Sequence, residues 1–193
     1  MSRLGNLKVA ITNIYKTKNP LRAEWADWLY AHHVFLVADY ARELSKKLGV
    51  NNDLAEAAAM LHDIADAVMK RSDPAHEETN LKLAGELLTK AEYKEHEKEI
   101  IIDALKHHGC HGSDRPSTIE GRILATADAV VHLRSDFYDF ARTERLKTDS
   151  PENVAAWAME KIERDFRDKI SFEDIRAEVA ERYKNLIEQF SSL

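Results

Sequence analysis

An adjacent histidine and aspartate, His62 and Asp63, are the residues of this chain whose types point most directly to chemistry. They follow the apolar run Ala57–Leu61, so the pair is expected to leave a buried helix. Imidazole suits Zn, Fe, Ni or Cu, and carboxylate suits harder ions such as Mg or Mn. The two groups together predict ligands of a divalent metal ion, although a single His-Asp pair also fits a plain hydrogen bond at a helix end.

Two more side chains that could bind a metal fall on apolar helix faces. His33 is in register with Val37 and Ala41, because positions i, i+4 and i+8 share one face of a helix. Asp128 lies four residues after Leu124, within another apolar stripe. Since a buried carboxylate without a partner is very costly, a cation is expected beside it. A metal ion would serve both Asp128 and His33.

These residues give the chain a family resemblance. His33, the segment Ala59-Met-Leu-His62-Asp63-Ile64 and the segment Glu120-Gly-Arg-Ile-Leu-Ala-Thr-Ala-Asp128 resemble the HD superfamily of metal-dependent phosphohydrolases. The resemblance covers about residues 30–135 and implies that each part lies on a different helix of a bundle. It implies a metal site of His33, His62, Asp63 and Asp128. His32 competes as the first ligand, and the register with Val37 favours His33.

Several branches of this superfamily bind a second ion through additional histidines. Two candidates lie between the doublet and Asp128, namely His76 and His108. The segment Ala104-Leu-Lys-His-His-Gly resembles the corresponding helix end of bacterial dinucleoside tetraphosphate hydrolases. Helix phase places His108 on the same face as Leu105. Both histidines also fit surface positions near helix ends, where a charged imidazole is favourable.

Asp66, His108 and Arg115 are predicted to act on the substrate. Asp66 stands where acidic residues of related nucleotidases are proposed to position water, and an exposed helical acid explains it equally well. His108 is expected to orient or deprotonate the water. Arg115, on the loop after the histidine pair, is the preferred phosphate donor. His132, four residues after Asp128, either hydrogen-bonds that carboxylate or simply packs.

The elements that must position these side chains are helices. Apolar residues recur with a helical period along the chain, and strand signals are weak. We therefore predict an all-α fold of about eight helices, an HD-domain helical bundle with a helical C-terminal extension. Three pairs of an N-cap residue and proline predict helix starts. They are Asn19-Pro20, Asp73-Pro74 and Ser150-Pro151.

The domain organisation predicted is one unit with three parts. Residues 1–19 form an N-terminal segment that packs on the core, residues 20–136 form the metal-binding core, and residues 137–193 form an extension of the same domain. The polar stretch 137–150 is the expected boundary. The extension shows no catalytic constellation, so we expect its helices to pack on the core, and their amphipathic faces offer a homodimer surface.

The amino-acid composition argues against several classes of partner and of protein. Of 193 residues, 28 are Lys or Arg and 34 are Asp or Glu, so the net charge is −6. Such a chain lacks the basic footprint of nucleic-acid binders, so nucleic acid is not expected. The resemblance to the HD superfamily implies instead a small phosphorylated substrate, a nucleotide. The single cysteine, Cys110, excludes a disulfide framework. No apolar run reaches the roughly 18 residues of a membrane span. A cytoplasmic protein is predicted.

The function that the resemblance to the HD superfamily implies is metal-dependent phosphohydrolysis. The substrate would carry a phosphomonoester or phosphoanhydride bond in a nucleotide or similar small compound. One or two divalent ions are expected, with Mn, Fe, Co, Ni, Zn and Mg all candidates. Two alternatives stay open: a di-iron oxygenase of the HD type, and a non-catalytic regulatory module that binds a nucleotide or a metal.

Overall fold

The fold is helical, as predicted. The computed structural model describes residues 2–192, and over that span it contains ten α-helices, two short turns of other helix types and no strand. In chain order the helices are α1 Arg3–Lys16, α2 Ala26–His32, α3 Val34–Leu48, α4 Asn52–Leu61, α5 His76–Lys90, α6 Glu95–His107, α7 Ile119–Arg134, α8 Phe137–Arg145, α9 Pro151–Arg164 and α10 Glu173–Ser191. A 3₁₀ turn, Ile64–Ala67, follows α4, and a π-helical turn, Asp165–Lys169, follows α9.

Helix α7 is the centre of the bundle. Every residue from Ile123 to Leu133 is buried, which fits a sequence that is apolar or small on all sides. The helix packs against α3, α4 and α6 on the core side and against α10 and the π-helical turn on the other. Because α7 carries Asp128, this central position brings the other elements to that carboxylate.

Helix α1 supports the segment that carries the His-Asp doublet. Its buried residues Leu7, Ile11 and Tyr15 are spaced four apart and face the core, where α1 packs against α4 and the 3₁₀ turn. The Tyr15 hydroxyl donates a hydrogen bond to the backbone carbonyl of Asp63 at 2.7 Å. The N-terminal helix thus holds the backbone of the doublet in place.

One of the three predicted helix starts is confirmed and two are wrong. Ser150 caps α9 by accepting a bond from the Asn153 amide at 3.3 Å, with Pro151 in the first turn. The side-chain oxygen of Asn19 instead accepts a hydrogen bond from the backbone amide two residues later, at 2.9 Å. The side-chain oxygen of Asp73 does the same, also at 2.9 Å. These side chains close short turns that precede the helices, because the i+2 amide competes for the same oxygen.

The polar stretch 137–150, expected to be a boundary, contains helix α8. Phe137, Tyr138 and Ala141 form a short apolar face that is buried against the rest of the bundle. The π-helical turn after α9 and helix α10 also contact α7, so these parts of the C-terminal region pack on the central helix of the bundle. Among the described residues, no helix combines the length and the apolar character needed to cross a bilayer.

Candidate metal centre

The His-Asp doublet directly follows the C-terminal end of α4, which is apolar and buried. Ala57 to Leu61 of α4 are all buried, so the residue that follows, His62, enters the interior. Its Nδ1 lies 2.7 Å from the carbonyl oxygen of Ala59 and donates to it. This bond fixes the tautomer, and the lone pair of Nε2 then faces the interior. An imidazole oriented in this way is typical of a metal ligand.

His33 meets His62 at the junction between α2 and α3. Its side chain is buried, and its Nε2 lies 3.0 Å from the Nε2 of His62. Burial lowers the pKa of His33, which favours the neutral form that binds metals. The neighbouring His32 is exposed and stacks on Trp28 outside the cluster. The structure therefore brings His33, not His32, to the doublet.

Asp128 completes a three-residue cluster with these histidines. The residue is 3% exposed, and its Oδ1 lies 3.1 Å from the Nε2 of His33 and 3.7 Å from that of His62. Ligand atoms of these three residues all lie within 4.8 Å of one another. The buried Oδ1 has no hydrogen-bond partner among the described residues, a costly state unless a cation faces it. Two imidazole nitrogens and one such oxygen fit a divalent transition metal.

Asp63 lies beside this cluster. Its Oδ2 is 3.3 Å from the Nε2 of His62 and 3.9 Å from the Nε2 of His33, while its Oδ1 is 2.9 Å from a guanidinium nitrogen of Arg71. Burial alone would raise the pKa of the Asp63 carboxyl, but Arg71 and the two histidines hold it below its ordinary value. The group is thus a carboxylate at neutral pH and is free to join the three ligands.

The acid predicted to position water, Asp66, is fully buried in the 3₁₀ turn. The guanidinium of Arg71 pairs with both carboxylate oxygens of Asp66, and Oδ1 also lies 2.9 Å from the Nε2 of His76. The structure therefore brings His76 to Asp66 and not to the three clustered ligands. His76 does line the same cleft as His62 and Asp63.

His108 lies closer to the doublet. Its ring centroid is 5.7 Å from that of His62, and the two side chains line one cleft. Its Nδ1 donates to the carbonyl oxygen of Leu105 at 2.6 Å, which repeats the i−3 contact of His62 and leaves its Nε2 lone pair available. Burial lowers the pKa of His108 to about 4, so its ring is neutral at neutral pH.

Arg115, which was predicted to donate hydrogen bonds to the substrate phosphate, instead makes hydrogen bonds within the protein. Its guanidinium donates to the carbonyl oxygens of Cys110 and Gly112, at 2.9 and 2.8 Å, and to Asp168 at 2.8 Å. These bonds tie its loop to the C-terminal part of the chain. The cavity beside Asp128 is lined by four other basic residues. They are Arg71, Lys161, Arg164 and Lys169.

Sequence reasoning missed the contribution of the C-terminal extension. Lys169 is buried and its ammonium pairs with Oδ2 of Asp128. Asp165 is fully buried and lies 3.1 Å from Nδ1 of His132, whose Nε2 is 3.3 Å from Asp128. Burial lowers the pKa of His132 to about 3. The only local signal was the spacing of Lys161, Asp165 and Lys169 at four-residue intervals.

Residues 30–132 match the family described as HD domain, which is more than half of the chain. This chain belongs to the HD family. The superfamily consists of metal-dependent phosphohydrolases, and membership implies that the chain binds a divalent metal. The cluster of His33, His62 and Asp128 lies inside the matched segment.

Curated relatives are named as ribonucleases. Over 116 residues the HD protein is 35% identical to ribonuclease Y of Symbiobacterium thermophilum, covering 60% of this chain and 20% of the relative. Over 115 residues it is 32% identical to ribonuclease Y of Bacillus subtilis, covering 60% of this chain and 19% of that one. The chain thus spans about a fifth of the length of these relatives. No solved structure matches the chain.

The expectation of a small nucleotide and no nucleic acid is wrong, since relatives of this HD protein are named for action on RNA. The error has a physical source. A net charge of −6 averages the whole surface, whereas four basic residues line the cavity beside the candidate metal ligands, and a bound divalent ion would make that cavity locally positive. A local field, not the average charge, decides whether a phosphate backbone is attracted.

Proposed function

We propose that this HD protein is a metal-dependent phosphodiesterase that hydrolyses RNA. The observation that carries the proposal is the buried convergence of His33, His62 and Asp128, in which a carboxylate oxygen without a hydrogen bond faces two imidazole nitrogens. Phosphodiester hydrolysis is the phosphohydrolase chemistry that the relatives' name, ribonuclease, specifies.

Four residues would hold the ion: His33, His62, Asp63 and Asp128. When bound, a divalent ion lowers the pKa of the water it holds toward roughly 7 and offsets negative charge on a phosphoryl oxygen. Mixed nitrogen and oxygen donors suit Mn, Fe, Co, Ni and Zn, and Mg stays a candidate. The carbonyl of Ala59 keeps His62 in the tautomer that this role requires.

Arg71 is placed to bind substrate phosphate. Asp66 and Asp63 hold its Nε and Nη2, so the guanidinium is fixed beside the metal ligands while Nη1 is left for another acceptor. A guanidinium held in this way loses little side-chain freedom when it binds a phosphate. We therefore assign Asp66 to the orientation of Arg71, with His76 supporting the same carboxylate.

His108 is placed to accept a proton. Its ring is neutral at neutral pH, Nδ1 is engaged by Leu105, and Nε2 faces the cleft shared with His62. A neutral imidazole in that position can take a proton from an attacking water. Arg115 acts through the loop that it ties to Asp168 and does not itself contact the substrate.

The test of this function is RNA cleavage by protein stripped with a chelator and reloaded with one divalent ion at a time. We expect cleavage of single-stranded RNA with at least one ion, and loss of that activity after chelation. Asp63→Asn is expected to reduce the rate to background. Asp39→Asn, at an exposed carboxylate on α3, is the matched control and should leave the rate unchanged. Cleavage that survives both chelation and Asp63→Asn would refute the proposal.

The same preparations address the two alternatives. The di-iron oxygenase needs a second ion bound through His76 and His108. In the structure, however, the His76 ring contacts the carboxylate of Asp66. Two irons per chain without RNA cleavage would favour that reading. Metal binding without turnover of RNA under any ion would favour the regulatory module.

A further inference from the structure

The C-terminal extension places buried cationic charge next to the metal ligands. Lys161, Asp165 and Lys169 follow one another at four-residue intervals where α9 passes into the π-helical turn. The widened turn brings Lys169 inward, where it is 4% exposed. Lysine is almost never buried to this degree unless it is paired, as Lys169 is with Asp128, and π-helical turns are frequent at functional sites. All three residues lie beyond the segment that matches the HD family.

Helix α7 itself fixes the backbone of Lys169. The Thr126 hydroxyl donates to the Lys169 carbonyl at 3.2 Å and accepts from the Ser171 amide at 3.1 Å. Thr126 is two residues from Asp128 on the same helix. The position of the lysine is therefore set by the element that carries the metal ligand.

Lys169 and the candidate metal use different oxygens of Asp128. The ammonium pairs with Oδ2, whereas Oδ1 faces His33 and His62. The lysine therefore leaves the oxygen that faces the histidines without a hydrogen bond. Its amine lines a cavity of about 140 Å³ together with Asp63 and His108.

The charged side chains around the site, together with a divalent ion, would leave a net positive charge that favours the binding of an anion. Arg164 also lines the cavity, but its charge is offset by Glu160, 3.3 Å away. Seven other ionised side chains surround the site: the carboxylates Asp63, Asp66, Asp128 and Asp165, and the cations Arg71, Lys161 and Lys169. Their sum is one negative charge, so a divalent ion would leave one positive charge in a largely buried space. A phosphodiester carries one negative charge and would restore balance.

We propose that Lys169 is a substrate-binding residue, whose ammonium contacts a non-bridging oxygen of the phosphate held beside Asp63, His108 and Asp128. The inference rests on the proposed function for the identity of the phosphate compound, RNA. The lysine supplies charge and a hydrogen-bond donor, and the C-terminal extension thereby completes the site. The competing explanation is that Lys169 only neutralises Asp128.

Orthophosphate binding to the metal-loaded protein separates the two explanations. Calorimetric titration is made with wild type, Lys169→Met, Lys169→Arg and Lys47→Met, an exposed lysine that pairs with Asp174. We expect Lys169→Met to weaken phosphate binding by roughly 10- to 100-fold, the range of a charged hydrogen bond. Lys169→Arg should recover most of the affinity, and Lys47→Met should match wild type. Affinity within twofold of wild type in Lys169→Met would overturn the proposal.

Titration of the metal alone gives the second readout. If Lys169 binds substrate, Lys169→Met keeps or tightens metal affinity, because a competing positive charge is removed. A large loss of metal affinity, with phosphate affinity unchanged once the metal is saturating, would assign the lysine to support of Asp128 alone and overturn the proposal.

A labelling experiment on the wild type covers the case in which Lys169→Met does not fold. Reductive methylation of the metal-loaded protein is followed by mass spectrometry with and without saturating orthophosphate. We expect phosphate to slow methylation of Lys169 and not of Lys47, and equal rates would overturn the proposal. Since none of these three measurements uses RNA, phosphate binding through Lys169 without RNA cleavage would refute the proposed function and leave this inference standing.

Discussion

Two adjacent histidines with opposite surroundings show how strongly a site depends on single residues. His33 is buried against His62 and Asp128, whereas His32 is exposed and stacks on Trp28. Sequence period alone favoured His33, because it is in register with the buried Val37 and Ala41. The helical period gives this information because burial on α3 follows one face.

This pair offers a matched test of the metal site. We expect His33→Ala to weaken binding of the divalent ion by roughly 100-fold or more, beyond the range seen for groups that only support ligands. His32→Ala should leave the affinity unchanged, because that ring does not face the cluster. Calorimetric titration of both variants checks this, and equal losses would exclude His33 as a specific ligand.

At the scale of elements, the segment that carries the doublet is held by its neighbours. Asn80 of α5 accepts a hydrogen bond from the Ala65 amide at 3.0 Å and donates to the Leu61 carbonyl at 3.4 Å. It thereby bridges the end of α4 and the 3₁₀ turn on either side of His62 and Asp63.

Asn80→Ala removes both bonds and leaves buried backbone groups without partners. We expect the free energy of unfolding to fall by about 1–3 kcal/mol. Thr89→Ala, at an exposed position on the same helix, should change it by less than about 0.5 kcal/mol. Urea unfolding followed by circular dichroism measures both. Since alanine raises helix propensity at both positions, a similar loss in the two variants would show that the bridge makes no specific contribution.

Sequence patterns predicted the helices and the ligand faces but not the contacts between distant elements. The stripes of α3 and α7 placed His33 and Asp128 inward, and Ser150 marked the start of α9. Apart from the four-residue spacing of Lys169 with Asp165 and Lys161, nothing local distinguishes Lys169 or Asn80 from a surface residue, because their burial depends on chain segments far away in sequence. The roles of Asp66 and Arg115 were unpredictable for the same reason, since their partners Arg71 and Asp168 are set by packing.

At the scale of the whole molecule, the metal site and the stability of the fold are coupled. A ligand that binds only the folded state adds stability in proportion to the logarithm of its concentration over its dissociation constant. The ion should therefore stabilise the protein by about 2.7 kcal/mol at 100 times that constant. Thermal unfolding should shift upward in wild type and not in Asp63→Ala, whose circular dichroism spectrum we expect to stay helical. An equal shift in both would place the ion elsewhere.

Acid should weaken the metal-free protein over a defined window. Burial lowers the pKa of His108 to about 4 and that of His132 to about 3, against an ordinary value near 6.5. Below pH 6.5 the unfolded chain binds protons at these sites and the folded chain does not, so stability falls as pH drops toward about 3. Urea unfolding from pH 7 to 4 measures the slope. His108→Gln should flatten it, and an unchanged slope would contradict the assignment.

The lysine that comes from beyond residue 132 bears on how this protein is handled at the bench. A recombinant fragment trimmed to the homologous segment would retain His33, His62, Asp63 and Asp128. It would lack the ammonium that faces Asp128 and would open α7 to solvent along the side that α10 covers. Assays on such a truncated version would test an incomplete pocket, so expression plasmids should encode the entire chain.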